Sequence, residues 1–60
     1  MTLVQAIRLL EALGGCIYRR GFDDGNFYEV APDNTLRCLK NGAVLTLDDI
    51  RARDWDHIPF

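Results

Sequence analysis

The sequence predicts an α+β fold, an N-terminal helix packed on a small antiparallel β-sheet. Three observations predict it: apolar residues recur at helical spacing up to Leu13, short β-type runs broken by turn residues follow from residue 16 onward, and Asn41-Gly42 has the chemistry of a two-residue hairpin. The 60 residues make one domain, 1–60. A chain of this length buries only about 60% of the surface its unfolded form exposes, so a disulfide, a metal or a subunit interface is expected to add stability.

The helix starts at Thr2, which with Gln5 has the spacing of a capping box. Leu3, Ala6, Ile7, Leu10 and Leu13 form one apolar stripe, with Gln5, Arg8 and Glu11 off it, and Gly14-Gly15 accepts the left-handed backbone of a helix end. Candidate strands follow at residues 16–20, 27–31, 35–40 and 43–46. Asn41-Gly42 tolerates the positive φ of a type I′ turn, which pairs Lys40 with Ala43, Leu39 with Val44, Cys38 with Leu45 and Arg37 with Thr46. Pro32-Asp33-Asn34 suits a three-residue loop with asparagine left-handed, pairing Val30 with Leu36 and Glu29 with Arg37. Thr46 and Asp49 have the spacing to cap a short helical turn through Arg51, and the run Asp54-Trp55-Asp56-His57-Ile58 suits a last strand.

The two registers agree about the faces. Tyr28, Val30, Leu36, Cys38 and Leu45 share the face that receives the helix, while Glu29 and Arg37 form a cross-strand ion pair on the other. Phe27, Leu39 and Val44 meet on that second face, where one helix leaves nothing to cover them, so a homo-oligomer is expected.

Composition excludes several functions. A formal net charge of -2 offers no general attraction to DNA, RNA or an anionic membrane. Cys16, Cys38 and the single histidine, His57, match no metal-ligand spacing, so neither a metal nor another cofactor is expected. The start of the chain lacks the features of a secretory signal, which points to a reducing cytoplasm with both thiols reduced. Asp23-Asp24 and Asp54 with Asp56 are close acidic pairs, but nothing places them in contrasting environments, and His57 has no serine or cysteine near it in sequence. The chain is expected to bind, not to catalyse.

Arg19-Arg20-Gly21-Phe22, where a strand meets a loop, is the strongest binding signal. An arginine offers phosphate a planar fork of donors, and an adjacent ring offers a nucleobase a face to stack on. A purely structural alternative has one arginine covering the sheet edge, the other paired with an aspartate and Phe22 closing the core, with Trp55 as a core anchor.

Taken together, a helix ending Glu11-Ala12-Leu13-Gly14-Gly15, a strand closing on Arg19-Arg20-Gly21-Phe22, and a terminal Asp49-Ile50-x-Ala52-x-Asp54-Trp55 resemble the Thoeris anti-defence type two family of phage proteins. The resemblance covers nearly the whole chain; Phe22 stands where the family carries tryptophan, and loop sequence before the closing motif is missing. It implies a phage-encoded sponge in the cytoplasm of the infected bacterium that sequesters cyclic nucleotide immune signals, either cyclic ADP-ribose derivatives or cyclic oligonucleotides, without cleaving them. It also implies a dimer or tetramer with pockets between protomers. Carried over by position, the strand-end arginine is Arg19, the aromatic after Arg-x-Gly is Phe22, and the closing pair is Asp54 and Trp55, with Arg20 beside them. The rival class is a protein-binding phage inhibitor of a host defence enzyme, of anti-restriction or anti-CRISPR type, acting through the acidic C-terminal stretch.

Overall fold

The structure, a computed structural model, describes residues 1–21, 25–40 and 45–59. Helix α1 (Leu3–Leu13) opens with the expected capping box: the Gln5 N–H donates to the Thr2 hydroxyl at 3.2 Å, and the Thr2 N–H donates to the Gln5 side-chain oxygen at 2.9 Å. Leu3, Ala6 and Leu10 of its stripe are buried and Ile7 packs beside them. Leu13 departs from the expectation and is 57% exposed, at the last residue of the helix before the chain turns at Gly14. Gly14 and Gly15 both take positive φ, 71° and 84°, and a Cβ on Gly15 would collide with the Ile58 carbonyl. Glycine here both ends the helix and admits the neighbouring strand.

Four strands follow, β1 (Cys16–Arg19), β2 (Phe27–Val30), β3 (Leu36–Cys38) and β4 (Trp55–Ile58), in the order β3-β2-β1-β4 with every pair antiparallel. The β2–β3 register is the expected one: Val30 lies opposite Leu36 and Glu29 opposite Arg37, and the Arg37 guanidinium donates to the Glu29 carboxylate. Their loop closes as its sequence requires, with Asn34 at φ 67° and the Asp33 carboxylate accepting from the Thr35 hydroxyl at 2.6 Å.

The expected strand at residues 43–46 is only partly open to comparison, since the Asn41-Gly42 hairpin, Ala43 and Val44 lie outside the described residues. Leu45 and Thr46 are not in a strand. Thr46 instead caps α2 (Leu47–Arg51), its N–H donating to the Asp49 carboxylate at 3.0 Å and its hydroxyl accepting the Asp49 N–H at 3.2 Å. A backbone N–H committed to a capping box is lost to a ladder with Arg37. β3 likewise stops at Cys38, with Leu39 and Lys40 already in a turn, although the Leu39 N–H still donates to the Phe27 carbonyl at 2.7 Å. The last strand, β4, starts at Trp55 and lies along β1, so it is the C-terminal run that completes the sheet.

Side-chain alternation divides the sheet into two faces. Ile17, Tyr28, Cys38 and Trp55 face α1 and form the core with Leu3, Ala6 and Leu10, while Leu36, Leu45 and Ala52 pack at its margin. Trp55, 1% exposed, meets the Tyr28 ring edge-on at 5.7 Å between centroids. His57 lies opposite Ile17, its Nε2 2.8 Å from the Gly14 carbonyl at the end of α1. On the outer face Tyr18 packs against Phe27 at 5.3 Å, and Leu39 is 53% exposed; among the described residues no helix lies on this face.

The thiols fall on opposite faces. Cys38 pairs with Tyr28, which pairs with Ile17, so Cys16, one residue from Ile17, points the other way. Cys38 is buried and Cys16 is partly covered, with burial and then the Glu29 charge pushing the Cys16 thiol above its ordinary value. In the native protein a thiol reagent is therefore expected to label Cys16 before Cys38, faster as pH rises, with the difference abolished in denaturant. Cys38 reacting first would show that the face assignment is wrong.

Candidate functional site

The site is built where the end of β1 meets the start of β4. Arg19 lies opposite Trp55 in the ladder, so its side chain stands on the inner face beside that indole and only 12% of it is exposed. A cation so placed must find a partner for every donor. Its Nε donates to Asp54 Oδ1 at 2.6 Å, its Nη2 to Asp54 Oδ2 at 3.2 Å and its Nη1 to Asp49 Oδ1 at 2.8 Å. All three guanidinium nitrogens are thus engaged by carboxylates.

Asp49 divides its two oxygens. Oδ2 closes the α2 capping box and Oδ1 takes Arg19, while the Asp49 main-chain carbonyl accepts the Trp55 indole N–H at 2.8 Å. Asp54 acts at three points: its carboxylate grips Arg19, the same Oδ2 accepts the Gly21 N–H at 3.1 Å, and its carbonyl accepts the Arg20 N–H at 2.8 Å. Gly21 is required by this approach, because a Cβ there would run into the Asp54 carboxylate.

The electrostatics follow from these bonds. Arg19 holds the Asp54 carboxyl below its usual range, chiefly by hydrogen bonding; burial opposes it, and the Arg19 charge and the Gly21 N–H add to the lowering. Burial pushes the Asp49 carboxyl up, but the Thr46 and Arg19 hydrogen bonds outweigh it and the group ends below its usual value. The bond to Asp54 in turn raises Arg19, against burial, with Asp49 adding to it. The guanidinium therefore stays charged throughout any range in which the protein folds.

The structure thus brings Arg19, Arg20, Asp54 and Trp55 together at one end of the sheet, and Phe22 lies outside the described residues. Their roles differ. Arg19 and Asp54 hold each other, Trp55 is the core anchor, and Arg20, 71% exposed, is the arginine that faces solvent, with Asp56 3.7 Å from its Nε. Asp49 and Gly21 belong to the site, yet residue types alone point to Asp49 only as a helix cap. The signal for both lay in the quoted motifs, where a glycine follows the arginine pair and an aspartate opens the closing run.

Elsewhere, a shallow concavity between α1 and the β2–β3 loop is lined by Ile7, Glu11, Val30, Asn34, Thr35 and Leu36 and includes none of these residues. Among the described residues no group of three histidines, cysteines and carboxylates could hold a metal, and no helix is long and apolar enough to cross a membrane. No family model, curated protein or solved structure matches the chain.

Two expectations test the network. Asp49 and Asp54 titrate lower in the folded chain than in the unfolded one, where aspartate titrates at about 3.9. Their contribution to stability is complete above that value and is lost as pH falls through the lower folded values. Urea midpoints should therefore hold steady near neutrality and drop below about pH 4. Asp33, held down by Thr35, titrates in the same window, so the Asp54→Asn variant should show a shallower drop rather than none. Secondly, Thr46→Ala, which removes the hydroxyl's hydrogen bonds with Asp49 but leaves Arg19 its partner, should cost about 1 kcal/mol. Asp49→Ala should cost more, because it also strips Arg19 of a partner; equal losses would show that the Asp49–Arg19 bond contributes nothing.

Proposed function

We propose that the chain is a sequestering binder of cyclic nucleotide signals, either cyclic ADP-ribose derivatives or cyclic oligonucleotides, which holds its ligand without cleaving it and works in the cytoplasm of a phage-infected bacterium. The observation that carries this reading is the convergence of the two motif segments behind the resemblance. Arg19-Arg20-Gly21 and Asp49 to Trp55 are far apart in sequence and meet in one hydrogen-bonded corner. The arginine-glycine strand end on which a nucleotide reading depends is thereby built into the fold.

In this reading the roles within the dipeptide separate. Arg19 has spent its donors on two carboxylates, so Arg20 takes the phosphate and Phe22 stacks on the base. A second protomer closes the pocket, and the uncovered outer face, with Tyr18, Phe27 and the exposed Leu39, supports assembly of this kind. A protein-binding inhibitor of a host defence enzyme is the second reading. It is favoured by α2, whose Leu47 and Ile50 are 64% and 50% exposed beside Asp48.

Calorimetry against cyclic ADP-ribose derivatives and cyclic dinucleotides tests the first reading, with recovery of intact ligand after heating as the check that nothing is cleaved. Loss of a base stack costs about 1–3 kcal/mol and loss of a charged hydrogen bond about 1.5–3 kcal/mol. Phe22→Ala and Arg20→Ala should each weaken binding roughly ten- to a hundredfold while the fold survives. A wild type that binds no member of the panel below millimolar concentration sinks the sponge and leaves the inhibitor. Light scattering should show a dimer or tetramer that Leu39→Glu disperses; a wild type that stays at the 6.8 kDa of one chain removes the oligomer.

A further inference from the structure

Arg20 and Gly21 sit beyond the last β1 residue, where a strand end would ordinarily fray. Here the backbone is held twice by a single residue: the Arg20 N–H donates to the Asp54 carbonyl at 2.8 Å and the Gly21 N–H to Asp54 Oδ2 at 3.1 Å. That carboxylate is itself immobilised, because both of its oxygens accept from Arg19, and Arg19 is fixed from the other side by Asp49. Gly21 leaves room for the approach, since any Cβ there would displace the carboxylate. The outcome is an arginine whose main chain is clamped while its side chain remains 71% exposed, opposed among the described residues by a half-buried Asp56 carboxylate at 3.7 Å that also accepts from the Tyr18 hydroxyl and the His57 N–H. A pair this long, with its arginine this exposed, contributes little in water.

From this geometry we infer that Asp54 is a positioning residue: it locks the Arg20–Gly21 backbone and so presents Arg20 as the anion-binding group for a phosphate-bearing ligand. The inference rests on the nucleotide reading for the identity of the ligand, but the lock itself does not. Arg19 acts one step further back, orienting Asp54, and touches no ligand. Pre-clamping the main chain leaves fewer degrees of freedom to be ordered when the anion arrives.

The test uses the full chain labelled with nitrogen-15, inorganic pyrophosphate as the probe, and the variants Asp54→Asn and Gly21→Ala. Amide exchange is read without ligand. The N–H at position 21 should be protected in the wild type, and its exchange, relative to the rate intrinsic to the residue there, should rise roughly tenfold or more in either variant. Arginine Nε–H signals are then followed during titration. In the wild type Arg20 should saturate at a pyrophosphate concentration roughly tenfold below that of the exposed Arg8 and Arg53, and in both variants it should fall to their level.

A Gly21 amide that exchanges freely in the wild type overturns the lock. An Arg20 that responds no better than Arg8 and Arg53, or that keeps its advantage in a folded variant, overturns the presentation. Should Asp54→Asn fail to fold, as judged by thermal unfolding, Gly21→Ala decides, because it leaves every charge in place. If Arg20 takes pyrophosphate as expected while no cyclic nucleotide binds, the positioning role stands and the sponge reading falls.

Discussion

The Arg19 guanidinium between Asp49 and Asp54 is the interaction on which the rest of this structure depends. It lies on the inner face of a small sheet, against Trp55, where a permanent cation is tolerated only with each donor satisfied. Both carboxylates come from the C-terminal quarter of the chain, so satisfying Arg19 also fixes where that quarter goes. Asp49 brings α2 with it through its capping box and receives the Trp55 indole on its carbonyl, while Asp54 delivers the first residue of β4 to the end of β1. One side chain thereby ties β1, α2 and β4 at a single corner.

The arrangement suits a domain with little core to spare. One helix and four short strands bury a thin layer around Ile17, Tyr28, Cys38 and Trp55, and a chain of this size gains less from burial than a larger one. A charged cluster adds little net stability over a well-packed apolar substitute, but its directional bonds define one geometry where apolar contact alone would admit several. The same directionality makes neighbours in sequence unlike each other in role. Arg19 points inward as a strand residue and Arg20, just past the strand, points out. Arg19 thus has the structural role foreseen for one arginine of the pair, and Arg20 is the one whose side chain is exposed.

Much of the fold was legible in the residues because much of it is local. Capping boxes at Thr2–Gln5 and Thr46–Asp49, the glycine stop after Leu13, the left-handed Asn34 and the Glu29–Arg37 register all follow from partners a few positions apart or from the geometry of one short loop. The purely structural reading of Trp55 was equally available from its size and the apolar pattern around it. What was misjudged also has a local cause. Thr46 has β-propensity and follows an apolar pair, which suggests a strand, yet its side chain and N–H are worth more to the helix behind it as a cap.

Periodicity and turn chemistry determined the helix, the β2–β3 loop and its register, and the face on which Cys38 lies, since each depends on dihedral preferences and side-chain direction within a few residues. Which strand lies beside β1, and which aspartates meet Arg19 across 30 and 35 positions, was decided only in three dimensions. Loop closure over such distances carries no periodic trace in the chain. The choice is made by the need to pair a buried guanidinium while covering Trp55, a condition that exists only once the sheet has formed.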